Sequence, residues 1–334
     1  MKIIHSLFLV LAVASLIGCS SSDDIQIDDK EMGIITVELE PLNDYLVSTR
    51  STTNPYADNP DRVEFTFSDK DSLGIFPNKG DQLNFPMGGA GGTSFSFDGG
   101  GWGLKKTYTY AAYIPFSKKN YDRTNKTISL VYTGQTQKAL DDASHMGAYD
   151  YQASAGVSPD DAGNTHISLK RQGVIIVLKL SVPEAKTFVS ATVSTGEALF
   201  VKESNLDISG TTIEYTPLEF DRKFSLLLDN ITTVPNEEFR LYFMAGYPVN
   251  LSGKELTISM VTTEGELYKG ILSCYYPTPA TNNWTRNTRH CYSSTLSKLG
   301  ENDPHFYDPE YYIETPKGTN ETPGVHVDNP GTWN

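Results

Sequence analysis

The cysteine at position 19 is the residue whose neighbours point most clearly to a chemical reaction. It closes the run Leu16-Ile17-Gly18-Cys19, which ends an apolar stretch from Leu7 to Ile17 behind Lys2. A thiol beside a small residue at such a position accepts a diacylglycerol group, and the peptide before it is removed. The apolar stretch is too short to span a bilayer. Residues 1–18 are therefore predicted to be a lipoprotein signal peptide, with Cys19 as the lipidated residue.

The segment from residue 19 to residue 31 is predicted to be an acidic tether. It carries three serines and then Asp23 and Asp24, with no apolar run long enough to pack. Such a run resembles the export signal that places lipoproteins on the outer face of the outer membrane, and a plain linker is the alternative. We expect an outer membrane lipoprotein at the cell surface, anchored through the acyl chains on Cys19.

Two further cysteines could form a covalent cross-link. Cys274 and Cys291 lie seventeen positions apart, on strands that are predicted to be neighbours. Because an exported chain folds in an oxidising environment, a disulfide between them is predicted. Two small buried thiols are the alternative.

Residues able to perform catalysis or to bind a metal form no recognisable pattern. The glycine-rich run from Gly88 to Ser94 lacks the lysine of a phosphate-binding loop and does not open a helix. The histidines are scattered without the spacing of metal ligands, and no Gly-x-Ser-x-Gly elbow occurs. We therefore expect no catalytic residue, no metal and no cofactor. A surface hydrolase stays an alternative, because glycosidase carboxylates can lie far apart in a sequence.

The elements that position these residues are predicted to be strands. The chain has 334 residues, a formal net charge of −14, 19 Tyr and 15 Phe. So acidic a surface argues against nucleic acid and against anionic lipid headgroups as partners. Short runs of alternating apolar and polar residues, separated by turn signals, predict an all-β chain of the sandwich type. These runs are Ile35 to Leu39, Val63 to Phe67, Ile128 to Tyr132, Phe224 to Leu228, Phe239 to Phe243 and Leu256 to Met260.

The length allows two domains, each with its own core. The run from Val174 to Leu178 is apolar at every position and predicts a central strand. Pro183 follows this strand and is the predicted boundary, so the domains are residues 32–183 and residues 184–299. A short helix is expected only from Gln137 to Met146.

Several motifs follow one another in an order that is typical of one family. They are the lipobox at Cys19, the strand Ile34 to Leu39 before Ser48-Thr49-Arg50-Ser51, Asp71 to Phe76, Trp102 before Tyr108 to Pro115, His166 to Gly173, Phe243 to Pro248, and Trp284 to Leu296. From Cys19 to about Leu299 the chain resembles the fimbrillin family, the type V pilin and fimbrium-subunit lipoproteins. The resemblance implies two tandem transthyretin-like β-sandwich domains with Greek-key connections.

The resemblance also implies a role for Arg50 in proteolytic processing. In polymerising members of the family, an Arg-specific protease cuts after an arginine that follows the first strand and so detaches that strand with its lipid anchor. A strand of another subunit then fills the groove by β-augmentation. The run from Asn43 to Pro60 has the polar composition of an accessible loop. An ordinary loop arginine is the alternative.

The tail, residues 300–334, is rich in proline and acidic residues and cannot form a domain. It contains two short apolar alternations, Tyr311 with Ile313 and Val325 with Val327, which are candidates for a donor strand. Its prolines limit the ladder that either can form, and a plain disordered tail is the alternative.

The preferred hypothesis is a non-catalytic fimbrial subunit or subunit-like cell adhesion lipoprotein. Its expected partners are other fimbrial subunits or further copies of itself, the membrane through Cys19, and a receptor or glycan on a host or bacterial surface. The alternative is a glycan-binding surface lipoprotein of a nutrient-uptake system, with Trp102, Trp284 or tyrosine rings as platforms for sugars.

Overall fold

The described part of the chain consists almost entirely of strands. A computed structural model describes residues 32–41, 63, 65–88, 91–118, 121–122, 126–276 and 283–300. Within these residues there is no α-helix, and none of the helical turns is long and apolar enough to cross a membrane. The strands are β1 Ile34–Leu39, β2 Ser72–Pro77, β3 Leu83–Pro86, β4 Ser94–Asp98, β5 Tyr110–Ile114, β6 Tyr121–Asp122, β7 Thr127–Val131, β8 Thr136–Gln137, β9 Gln152–Val157, β10 Thr165–Arg171, β11 Val174–Ser181, β12 Thr187–Ser194, β13 Phe200–Asp207, β14 Glu214–Asp221, β15 Lys223–Thr232, β16 Phe239–Ala245, β17 Val249–Asn250, β18 Leu256–Thr262, β19 Leu267–Tyr276, β20 Asn283–Trp284, β21 Arg289–Thr295 and β22 Ser297–Lys298.

The first large sheet has seven strands in the order β3-β2-β5-β9-β10-β1-β4. One of its faces covers the smaller of the two main hydrophobic cores, which is built from inward side chains such as Ile35, Val37, Leu73, Phe97 and Ile167. The alternation of apolar and polar residues along β1 therefore places its apolar face in a core, as predicted.

The larger core lies between the other sheets and also includes Phe76, Ala111 and Tyr113 from the first sheet. A nine-stranded sheet runs β16-β11-β21-β19-β18-β12-β15-β8, with β22 added to β19, and a four-stranded sheet runs β14-β13-β7-β6. Buried residues of both sheets share this core, among them Leu130 of β7, Leu206 of β13 and Ile176 of β11. Strands β17 and β20 form a separate pair. The all-β sandwich prediction is confirmed.

Strand β11 is a central strand, as its apolar sequence predicts. It pairs with β16 on one side and with β21 on the other. Five consecutive residues from Val174 to Leu178 are buried, because both faces of the strand are covered.

Strand β11 precedes the predicted domain boundary at Pro183 but pairs with strands that follow it. Both partners of β11 follow residue 184 in the chain, so β11 belongs to the nine-stranded sheet and not to a domain that ends at residue 183. Strands β7 and β8 also join later strands, β13 and β15. Long-range pairing, and not order along the chain, decides which sheet a strand enters.

The predicted helix from Gln137 to Met146 is also wrong. Gln137 ends the short strand β8, and only a 3₁₀ turn at Ser144–Ala148 follows. The Gln137 side chain instead bonds to β16: its Nε2 donates to the Arg240 carbonyl at 3.0 Å, and its Oε1 accepts from the Tyr242 N–H at 3.0 Å. These bonds tie the segment to a sheet edge and replace helical ones.

Candidate functional site: the slot of the first strand

The first described strand occupies an internal position of the seven-stranded sheet. β1 runs parallel to β10, with Ile35 beside Thr165 and Leu39 beside Leu169. It runs antiparallel to β4, with Ile35 beside Phe97. We call the position between β10 and β4 the slot. A strand in the slot satisfies the backbone groups of both neighbours, so without it each would present an unpaired edge.

Apolar side chains hold β1 in the slot from one face. Ile35, Val37 and Leu39 are buried in the smaller core, and Val37 is 0% exposed. On the other face Thr36 bonds to Ser96, with 3.1 Å between the hydroxyl oxygens, and Glu38 is half exposed. Complete burial of three aliphatic side chains is worth about 1.5–3 kcal/mol for each of them.

At the amino-terminal end of the slot, backbone N–H groups of the entering chain donate to one carbonyl and one side-chain amide. The Met32 N–H donates to the Leu104 carbonyl at 3.0 Å, and the Ile34 N–H donates to Asn164 Oδ1 at 3.0 Å. Gly33 lies so close to Asn164 that an added Cβ would come within 2.7 Å of Oδ1. A side chain at this position would therefore displace the Asn164 amide that accepts from Ile34.

At the carboxyl-terminal end of the slot, an arginine and a backbone N–H bind the carboxylate of Glu40, the residue after β1. Glu40 accepts two hydrogen bonds from the Arg286 guanidinium, at 2.9 Å from Nη1 and 3.1 Å from Nη2, and a third from the Arg171 N–H at 3.1 Å. The next residue, Pro41, accepts from Asn287 Nδ2 through its carbonyl at 2.7 Å. We call the Arg286 guanidinium, the Arg171 N–H and the Asn287 amide the carboxylate clip. A bidentate arginine pair of this kind is geometrically selective.

A buried ionic network holds two residues of the clip, Arg171 and Asn287, in position. The fully buried Arg171 side chain donates from Nε to Asp150 Oδ1 at 2.7 Å and from Nη1 to Asn287 Oδ1 at 2.8 Å. Asp150 also accepts from Gln152 Nε2 at 2.8 Å. Close by, burial raises the pKa of the Tyr247 hydroxyl, which keeps that ring neutral. Because the buried charges are paired, the network fixes the position of Asn287 and of the Arg171 backbone.

Several predicted site residues lie outside the described residues. These are Cys19, Arg50 and the four candidates for a donor strand, Tyr311, Ile313, Val325 and Val327. Sequence reasoning missed Glu40 and Arg286 altogether. The only sequence signal for Glu40 is that an acidic residue directly follows the apolar alternation of β1.

The predicted disulfide is not formed between Cys274 and Cys291, which are both thiols in the structure. The two residues do lie on paired strands, as predicted. The register, however, sets Cys274 beside Tyr292 and Cys291 beside Tyr276, with a bulge between the two pairs. The two cysteines are therefore diagonal neighbours across the bulge and do not lie directly opposite each other. Burial raises the pKa of the Cys274 thiol, so it is protonated at neutral pH.

The two tryptophans predicted as sugar platforms differ in exposure. Trp284 is buried, and its indole N–H donates to the Tyr292 hydroxyl at 2.8 Å, so it is a core residue and the prediction is wrong for it. Trp102 is 42% exposed and packs on Phe85, with 4.1 Å between the ring centroids. Only Trp102 of this pair has a ring face that a ligand could reach.

The described residues offer no assembled catalytic group. Thr288 and His290 are in contact, at 3.1 Å between Oγ1 and Nε2, but the threonine hydroxyl also donates to the Thr285 carbonyl at 2.7 Å. No carboxylate orients His290 Nδ1, which has no hydrogen-bond partner there. Burial lowers the pKa of His290 to about 4. In the same described ranges, no three His, Cys, Asp or Glu side chains are grouped as metal ligands.

The fold and the slot define an all-β sandwich protein whose first described strand lies between two other strands of its sheet. No family model and no curated protein matches the chain. Among solved structures, it is similar to a proposed cell adhesion protein from Bacteroides uniformis, with a TM-score of 0.45 and 12% identity, covering 80% of this chain and 98% of that one.

Two more solved structures are similar to the chain. A proposed cell adhesion protein from Bacteroides ovatus has a TM-score of 0.45 and 11% identity, covering 81% of this chain and 96% of that one. A fimbrial protein from Bacteroides ovatus has a TM-score of 0.34 and 12% identity, covering 83% and 55%.

Proposed function

We propose that the chain is a non-catalytic fimbrial subunit or a subunit-like cell adhesion lipoprotein that assembles by exchange of its first strand. The observation that carries this proposal is the internal position of β1 between β10 and β4. The sequence places Cys19, the predicted lipidation site, before the strand and Arg50, the predicted cleavage site, after it. A cut at Arg50 therefore leaves no peptide bond between the strand with its lipid and the rest of the fold.

The physical consequence of that cut is an open site for a strand. Loss of β1 unpairs one edge of β10 and one edge of β4 and uncovers the core that Ile35, Val37 and Leu39 fill. Unpaired edges and an apolar trough are the features that β-augmentation uses. A strand from a second copy or from another fimbrial subunit is the partner that these features favour, with the assembly displayed at the outer membrane surface.

Arginine substitution tests the proposal. Arg50 and Arg62 are the two arginines between residues 42 and 62. Treatment of the purified full chain with an Arg-specific protease should release the amino-terminal fragment and produce ladders on a gel that survive boiling. Arg50→Ala should block both events, and the matched variant Arg62→Ala should behave like the unchanged protein. Ladders from Arg50→Ala, or a cleaved protein that stays monomeric, would contradict the proposal.

The exposure of Trp102 favours a second candidate, glycan binding at the cell surface. The ring lies beside the glycines Gly100, Gly101 and Gly103 and rests on Phe85, so one rigid aromatic face is available to a sugar. Binding to a glycan array that Trp102→Ala abolishes would support this candidate. Equal binding by the unchanged protein and by Trp102→Ala would show that Trp102 does not contact the glycan.

A further inference from the structure

The carboxylate clip binds the residue that directly follows the strand in the slot. Because of this position, the clip can also bind a residue of the strand that replaces β1. Glu40 follows Leu39 directly, and its backbone N–H still continues the ladder by donating to the Leu169 carbonyl at 2.8 Å. The clip therefore contacts one defined position relative to the strand. This inference rests on the proposed function, because it concerns which strand replaces β1.

The clip is built by residues that do not belong to β1. The Arg171 side chain and Asn287 are fully buried, and the Asn287 N–H donates to the Gly173 carbonyl at 2.9 Å. Arg286 also donates from Nη1 to the Arg171 carbonyl at 3.2 Å, which orients its guanidinium toward the slot. Departure of β1 takes the Glu40 carboxylate away and leaves this set of donors in place. Their chemistry then suits another carboxylate.

The tail repeats the last part of the pattern that β1 presents to the slot. In β1 the order is Val37-x-Leu39-Glu40, and in the tail it is Val325-x-Val327-Asp328. Both are alternating apolar residues followed at once by a carboxylate.

A second tail segment has the same order but a poorer fit. Tyr311-x-Ile313-Glu314 would place a tyrosine in the fully closed site of Val37. A ring is too large for a site packed around valine. Val325 and Val327 fit the sites of Val37 and Leu39 without enlarging them. Asp328 is shorter than Glu40, and the long, partly exposed Arg286 side chain can move to reach its carboxylate.

We propose that the carboxylate clip selects and registers the strand in the slot, and that its ligand in the assembled protein is Asp328 of a second copy. The clip thus has two ligands in turn, Glu40 before cleavage and Asp328 after it. Strands without a carboxylate at this position are rejected, because they leave the arginine without the anion it is oriented to bind.

Hydrogen exchange of the intact chain tests the clip without any cleavage. Glu40→Gln and Arg286→Gln should each accelerate amide exchange of Ile34–Leu39 by about 10-fold, since a charge-assisted pair is lost. Glu38→Gln is the matched control: it removes a carboxylate of the same strand that contacts His166 at 3.4 Å and not the clip. Equal exchange in Glu40→Gln and Glu38→Gln would overturn the proposal.

Assembly of the full chain under Arg-specific protease tests the second ligand. Asp328→Asn should slow ladder growth by about 10-fold, Arg286→Gln should do the same at an unchanged circular dichroism spectrum, and Glu314→Gln should have no effect. Slower growth with Glu314→Gln and not with Asp328→Asn would overturn the assignment of the ligand. If the unchanged protein forms no ladders while Glu40→Gln still accelerates exchange, the proposed function fails and the clip as a lock on β1 stands.

Discussion

A buried hydroxyl placed in the slot should reveal how strongly β1 is held. Val37→Thr keeps the size and the β-branched shape of the side chain, so strand propensity and packing volume change little. The residues beside Val37 across the two neighbouring strands are Phe95 and Ile167, which offer no side-chain partner to a hydroxyl. Burying a hydroxyl without a hydrogen bond costs about 1–3 kcal/mol, so the free energy of unfolding should fall by about 2 kcal/mol.

The matched control lies three residues earlier on the opposite face of the same strand. Ile34 is 50% exposed, and Ile34→Thr should change the free energy of unfolding by no more than about 0.5 kcal/mol. Urea denaturation followed by circular dichroism compares both variants with the unchanged protein. The slope against urea should be the same for all three proteins, since similar surface is exposed on unfolding. An equal loss in Val37→Thr and Ile34→Thr would refute the view that the slot buries one face of β1.

Two further predictions concern groups outside the slot. His290 has a pKa lowered by burial from 6.5 to about 4, so the folded state resists the proton that the unfolded state accepts. Stability should therefore be complete above the unfolded pKa and should fall by about 1.4 kcal/mol per pH unit as the pH drops from 6.5 toward 4. Melting temperatures at pH 7 and pH 4.5 should differ less in His290→Gln, and an equal difference would contradict this cause. Cys274 and Cys291 are thiols in the structure, so a reducing agent should leave the urea midpoint unchanged. A midpoint lowered by reduction, with no thiol alkylated in the unfolded non-reduced chain, would restore the disulfide.

The sequence predicted the strands better than their partners. The alternation of Ile35, Val37 and Leu39 identified both β1 and its buried face, and the apolar run of β11 identified a strand covered on both sides. Such patterns are local, because each strand shows its own burial in its own residues. The parallel pairing of β1 with β10 joins residues that are about 130 positions apart, and no local pattern encodes it.

The contacts of the candidate site likewise join residues that are far apart in the sequence, and no local pattern predicts them. Glu40 meets Arg286 across 246 positions, and nothing near either residue in the sequence indicates the contact. Trp284 stands beside polar residues in the chain, yet it is buried because Tyr292 accepts its N–H and Phe200 packs on it, with 5.4 Å between the ring centroids. Pro183 has a related limit as a sequence signal, since a proline ends a strand but does not decide which sheet the strand joins.

The mixed pairing of β1 gives the slot a direction. A strand that copies it must run parallel to β10 and antiparallel to β4, with its carboxyl end at Arg286. If a strand of one copy enters the slot of the next, each contact joins a donor strand to a slot. The two copies then use different surfaces, and the contact is heterologous. Such contacts need not close into a ring. The fibre would then be polar, with an empty receiving site at one end and an unused donor at the other, and the two ends would grow and be capped by different means.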